Sequence, residues 1–92
     1  MALLDLLGRR SALRVLWELR AAPLTFRALL EAADTNPGVL NARVTELREA
    51  GVLTSGVDGY ALTKEGRVLF ETLEPLGRWA ERWATRVPPA KM

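Results

Sequence analysis

The amino-acid sequence predicts a mainly α, α+β fold: a run of short helices, one two-stranded hairpin and a long C-terminal helical region. Three observations predict it. Apolar residues recur at helical spacing along most of the 92 residues. One stretch, residues 53–62, reads as two short extended pieces flanking Gly56-Val57-Asp58-Gly59. From Leu69 to Val87 the apolar positions follow a heptad seam.

The chain opens with a short apolar piece, residues 2–7, that ends at Gly8 and carries Leu3, Leu4 and Leu7. Residues 1–10 read as an N-terminal arm. Ser11 stands where it would cap the next helix. That helix runs to about Ala22 and stops before Pro23, because a residue ahead of proline disfavours the helical region. Leu13, Leu16 and Trp17 lie on one face, widened by Val15 and Leu19, and Trp17 is read as core from this company. Arg9, Arg10, Arg14 and Arg20 fall mostly outside.

Thr25 opens a third short helix, residue 26 to about 33, with Phe26, Leu29 and Leu30 buried at i, i+3, i+4. Arg27 points away in the first turn. Free backbone N–H groups gather there and welcome a phosphate, although a solvated arginine is the plainer reading. Asp34-Thr35 then makes a tight connection. Two short helices joined by three or four residues describe a helix-turn-helix.

The second helix of that pair is the centre of the chain, residues 36–53, NPGVLNARVTELREAGVL. Asn36 caps it and Pro37 occupies the first position, where a missing N–H costs nothing. Gly51 ends it by taking the left-handed conformation. Leu40, Val44 and Leu47 form an apolar stripe at i, i+4, i+7. Advancing ~100° per residue, the opposite side carries Gly38, Asn41, Ala42, Thr45 and Glu49. Such a lean, polar face suits a DNA groove, and also suits an ordinary amphipathic helix.

The hairpin that follows has the position of a wing. Its tip holds Asp58 and no Lys or Arg, so it cannot grip phosphates through a cation; Val52, Leu53, Tyr60 and Leu62 cover the core. Thr63 starts the last helical region, residues 63–87. Its seam is Leu69, Leu73, Leu76, Ala80, Trp83 and Val87. The first part packs on the domain. The second, with Trp79 and Trp83 one turn apart, meets a second copy or folds back on its own domain. Pro75 either kinks the helix or begins a new one. From Val87 the tail, VPPAKM, is polar, proline-containing and frayed.

Ninety-two residues, 49% apolar and 26% charged, make a single globular domain. It buries roughly 60–65% of its unfolded surface, so oligomerisation would help it. There is no cysteine and no histidine. Disulfides, thiolate metal sites and thiol sensing are excluded, and the commonest general base is missing. An enzyme is therefore the weakest function class, and neither a metal nor another cofactor is expected. No stretch has the form of a signal peptide or a membrane span, so the chain is expected to be cytoplasmic.

Eleven arginines against two lysines suit phosphate contacts, and also suit a GC-rich genome. Charge is unevenly placed. Residues 1–30 carry five arginines against Asp5 and Glu18, whereas residues 31–60 carry Arg43 and Arg48 against five acids. The helix directed at a groove thus lies in the acidic third, and DNA affinity, which scales with phosphates neutralised, needs help from elsewhere or from a second subunit.

Taken in order, these elements resemble a winged helix-turn-helix, and the local wording resembles the HxlR-type bacterial transcriptional regulators, relatives of the MarR and ArsR groups. Residues 8–26, GRRSALRVLWELRAAPLTF, resemble that family's opening helix followed by a proline and an aromatic. Pro37, Val39, Leu40 and Arg43 resemble its recognition-helix run, and Leu62-Thr63-Lys64-Glu65-Gly66-Arg67 resembles the start of its last helix. The resemblance spans roughly residues 8–84. It implies a homodimer that reads a near-palindromic stretch of double-stranded DNA, with one recognition helix per subunit, about residues 37–49, in the major groove. Dimer contacts would come from the terminal helices, which agrees with Leu3, Leu4, Leu7, Leu76, Trp79 and Trp83. The chain departs from the family in lacking an N-terminal cysteine. It has Gly38 where lysine is usual and Ala42 where a long polar residue is usual, and its wing is short and uncharged apart from Asp58.

On this reading Asn41 and Thr45 contact base edges, and Arg27 and Arg48 hold phosphates. Arg43, at the edge of the core stripe, reaches a phosphate or pairs with Glu46 or Glu31. Thr25 and Asn36 cap helices and offer N–H groups to the DNA backbone. The rival is a protein-interaction module on the same fold, favoured by the acidic central segment. A further rival is a small-molecule sensor whose pocket is lined by Trp17, Phe70, Trp79 and Trp83.

Overall fold

The computed structural model describes residues 2–87. The chain forms α1 (Ala2–Leu7), α2 (Ala12–Glu18), α3 (Phe26–Ala33), α4 (Pro37–Glu49), β1 (Leu53–Gly56), β2 (Gly59–Leu62) and α5 (Lys64–Arg86). This is the expected mainly helical fold with a two-stranded hairpin and a long C-terminal helix.

Local signals set most of the boundaries. The Asn36 side chain accepts a hydrogen bond from the Val39 N–H at 2.9 Å, with Pro37 in the first turn of α4. At the other end, Gly51 takes φ +81°. Its N–H bonds the Arg48 carbonyl at 3.0 Å, and the Val52 N–H bonds the Leu47 carbonyl at 3.0 Å. These two bonds make a Schellman stop. Thr63 then ties the start of α5 to the end of α4: its hydroxyl accepts from the Gly66 N–H at 3.0 Å and donates to the Gly51 carbonyl at 2.6 Å.

The strands pair antiparallel from Leu53 opposite Leu62 to Gly56 opposite Gly59, leaving Val57-Asp58 as the turn. Leu24 adds a bridge to Tyr60 on the free edge of β2. The core is one cluster: Val15 and Leu16 from α2 with Leu19 at its C-cap, Leu29 from α3, Leu40, Val44 and Leu47 from α4, joined by Leu7, Val52, Leu53 and Leu62. Burying each large aliphatic side chain stabilises the fold by about 1.5–3 kcal/mol. Leu69, Phe70 and Leu73, in the first half of α5, pack against this cluster. The helix, about 35 Å long at 1.5 Å per residue, continues past it.

Four features differ from the sequence expectation or resolve it. The second helix ends at Glu18, not near Ala22. Pro23 restricts only Ala22 directly before it; the helix closes earlier, where the Arg20 N–H turns to the Trp17 carbonyl at 3.2 Å, and the Leu24 bridge needs extended chain beyond. Ser11 occupies the N-cap position of α2 but makes no cap hydrogen bond; its backbone is left-handed, φ 69°. Its hydroxyl lies 3.2 Å from the Thr35 hydroxyl instead, tying the turn of the helix-turn-helix to α2. Trp17 is 46% exposed. The buried stripe of α2 is Ala12, Val15 and Leu16, continued by Leu19 at its C-cap, so Leu13 and Trp17, one residue further round, face outward. Finally, α5 runs through Pro75 as one helix. Proline cannot donate to the Glu71 carbonyl, and Glu71 lies on the exposed side of the helix. Residues 88–92 of the expected frayed tail lie outside the described residues.

Candidate nucleic-acid interface

The pair α3 and α4 presents one face to solvent. Thr25 caps α3, accepting from the Ala28 N–H at 3.2 Å, and Arg27 stands exposed in its first turn. Asp34 takes φ 51° to turn the chain into α4. The Asn36 side-chain carbonyl is used by its own cap, which leaves its NH2 group as a donor for a ligand.

Along α4, Asn41, Thr45 and Arg48 are all exposed, and their spacing of four and three puts them on one stripe. The Thr45 hydroxyl donates to the Asn41 carbonyl at 2.8 Å, which holds its side chain against the helix and leaves its lone pairs free. Thr45 and Arg48, with Glu49, Leu53 and Thr54, line an open depression of about 500 Å³ between α4 and β1. Among the described residues neither Arg27 nor Arg48 has an ion-pair partner, so both cations are available.

Arg43 is placed differently. Its side chain is 13% exposed, and its Nε lies 2.8 Å from Glu46 Oε1. One terminal nitrogen donates to the Arg10 carbonyl at 3.3 Å. Of the alternatives open from sequence, the structure takes the pairing with Glu46, and the guanidinium is turned along the protein rather than outward. The hairpin tip is exposed at Val57 and Asp58 and presents no cation, as its sequence requires.

The residues expected at a subunit interface divide into two groups. Leu3, Leu4, Leu76, Trp79 and Trp83 are exposed, with Trp79 and Trp83 stacked at 6.0 Å and 10°. Leu7, at 8% exposure, belongs to the chain's own core, which leaves little of it for a partner. Sequence reasoning missed Leu13 and Trp17 as surface groups. They line an apolar groove of about 380 Å³ between α2 and α5, facing Phe70, Leu73, Leu76 and Ala80. The Trp17 ring lies 5.9 Å from that of Phe70 and is covered by the Arg20 guanidinium at 3.8 Å. Of the four aromatics expected around a pocket, Trp17 and Phe70 line this groove, while Trp79 and Trp83 stack on each other. The one sequence signal for the groove was the i, i+4 spacing of Leu13 and Trp17.

Among the described residues no group of Asp, Glu, His or Cys is placed to hold a metal ion. No described helix is long and apolar enough to cross a membrane.

No family model matches the chain, and no curated relative matches it. Among solved structures, it is similar to the crystal structure of quinone-bound YodB from B. subtilis, with a TM-score of 0.81 at 24% identity. The match covers 88% of this chain and 93% of that one. The likeness is one of fold, a winged-helix architecture, and in the order of elements α3 and α4 stand as its helix-turn-helix and β1–β2 as its wing.

Proposed function

We propose that the chain is a DNA-binding transcriptional regulator of the HxlR type, rather than an enzyme, acting in the cytoplasm as a homodimer. The observation that carries the reading is the exposed stripe of α4. Asn41, Thr45 and Arg48 stand in line on a well-capped helix, on the winged-helix element that enters the major groove. Asn41 would pair with a base edge and Thr45 would touch a base edge or a thymine methyl. Arg48, and Arg27 at the start of α3, would hold phosphates, and the N-termini at Thr25 and Asn36 would position the backbone. A dimer through Leu3, Leu4, Leu76, Trp79 and Trp83, with Leu7 behind them, would set two α4 helices on half-sites about one DNA turn apart.

Fluorescence anisotropy of mixed-sequence duplex DNA, titrated at several salt concentrations, tests this. The log–log slope should show several released counterions, and Arg27→Ala or Arg48→Ala should each flatten it by about one unit. The absence of binding at low salt, with the protein folded, would overturn the reading.

Three observations favour a second reading, a protein-interaction module. Glu49 shares the depression beside Arg48, Arg43 is engaged internally, and the wing offers no cation. A partner bound through this face would hold on as salt rises, unlike DNA.

A further inference from the structure

We infer that Arg9, Glu46 and Arg43 form a strut that sets the tilt of α4 against the turn between α1 and α2, and that Arg43 is a positioning residue rather than a contact to DNA. The consequence for DNA rests on the function proposed above; the strut belongs to the free protein.

The Glu46 carboxylate stands between two cations from different elements. Arg43, one turn earlier on α4, approaches Oε1 at 2.8 Å. Arg9, in the turn after α1, approaches Oε2 at 3.3 Å. Arg43 also reaches the carbonyl of Arg10, the neighbouring residue in that turn. The helix is thus fastened to residues 9 and 10 at two points. Arg43 Nε and Glu46 Oε1 are fully buried, and neither has a hydrogen-bond partner; their close approach is an ion pair without hydrogen-bond alignment. Breaking one side would leave the other charge partly buried and unmatched.

Apolar packing of Leu40, Val44 and Leu47 holds α4 in place but is not directional. The hydrogen bond from Arg43 to the Arg10 carbonyl is directional, and the ion pair of Arg9 with Glu46 adds a second attachment of α4 to the same turn. A 13-residue helix is about 20 Å long, so a tilt of about 10° moves its far end by about 3 Å. That displacement exceeds what a base-edge hydrogen bond tolerates. Residues 9 and 10 follow directly on α1, which carries the exposed Leu3 and Leu4. The strut therefore joins the proposed dimer arm to the proposed reading helix.

The test uses the full chain, with amide hydrogen exchange of the free protein followed by the DNA titration. Glu46→Gln keeps the side-chain shape and removes the shared charge. Amides of α4 should then exchange about five- to tenfold faster, while those in the core of α2 keep their rates. Arg43→Lys separates the two possible roles. A lysine serves a phosphate contact but lacks the fork that holds Glu46 and the Arg10 carbonyl together. It should speed α4 exchange and weaken DNA binding about fivefold or more. The inference is overturned if both variants leave α4 exchange unchanged. It is also overturned if Arg43→Lys binds DNA like the parent while Arg43→Ala flattens the salt slope by about one unit. Should the parent chain bind no DNA at any salt, the proposed function fails and the exchange rates by themselves decide the strut.

Discussion

Leu24 and Tyr60 exchange two backbone hydrogen bonds, with the Tyr60 N–H on the Leu24 carbonyl at 2.8 Å and the Leu24 N–H on the Tyr60 carbonyl at 3.0 Å. The segment between α2 and α3 thereby covers part of the free edge of β2, which limits strand addition by another chain. The approach is close because residue 59 is glycine. A Cβ there would overlap the Leu24 carbonyl, and the backbone already sits at φ +108°, which side chains rarely adopt.

Gly59→Ala should therefore destabilise the fold by about 2–3 kcal/mol, from the strained φ and the displaced Leu24 segment together. Gly56→Ala, across the turn, meets nothing within 4 Å and should stay within about 0.5 kcal/mol. Urea unfolding of the two variants measures the contrast. Equal effects would mean that the bridge does not constrain the hairpin.

Two glycines in α5 should behave oppositely. Gly66 is buried against the Val52 carbonyl, where the start of α5 crosses the end of the Schellman stop, and a Cβ would collide with it. Gly66→Ala should cost about 1–3 kcal/mol. Gly77 has open space around it, so Gly77→Ala should stabilise the monomer by about 0.5–1 kcal/mol through helix propensity. Thermal melts of the two variants should move in opposite directions.

Leu16 and Trp17 are sequence neighbours with different surroundings. Leu16→Ala should cost about 2–5 kcal/mol, as expected for a fully buried leucine. Trp17→Ala should cost well under the ~3–5 kcal/mol of a core tryptophan, because the ring is half exposed and packs on Phe70 and Arg20 alone among rings and cations. A larger loss at Trp17 than at Leu16 would show that the groove closes in solution.

If the chain dimerises as proposed, Leu4→Ala and Trp83→Ala should leave the monomer folded and weaken self-association, by about 2 kcal/mol or more for the tryptophan. Leu7→Ala should instead cost about 2–5 kcal/mol of folding stability, since that side chain is core. Sedimentation equilibrium, with circular dichroism as the check on folding, separates the two behaviours. Unchanged association on Trp83→Ala would remove the stacked tryptophans from the interface.

Much of the architecture was legible because it is written in short-range chemistry. The caps at Thr25, Asn36 and Thr63, the stop at Gly51 and the turn at Val57-Asp58 each depend on residues within a few positions. The apolar stripe of α4 was equally plain, because its two leucines and Val44 fall at i, i+4, i+7 and leave only Val39 among its large aliphatic side chains off that face. The exposure of Asn41 and Thr45 followed from that stripe, whereas Arg48 was expected only as a phosphate contact and the structure puts it on the same exposed stripe.

The rest needed partners distant in the chain. Helix α2 is apolar over a wide arc, so several rotations bury leucines, and the positions of α3, α4 and α5 select the one that leaves Leu13 and Trp17 outside. The extended course of the chain after α2 depended on Leu24 finding Tyr60, thirty-six positions away in the sequence. Arg43 could be placed near the core edge by counting residues, but only the meeting of α4 with residues 9 and 10 turned it toward Glu46. By itself, then, the sequence determined where helices and strands begin and end at capped boundaries and which face of α4 is buried, since those choices are made by neighbours along the chain. The tertiary structure decided which apolar face of α2 is covered, how the chain runs after that helix and what each arginine pairs with, since those choices are made by groups that folding alone brings together.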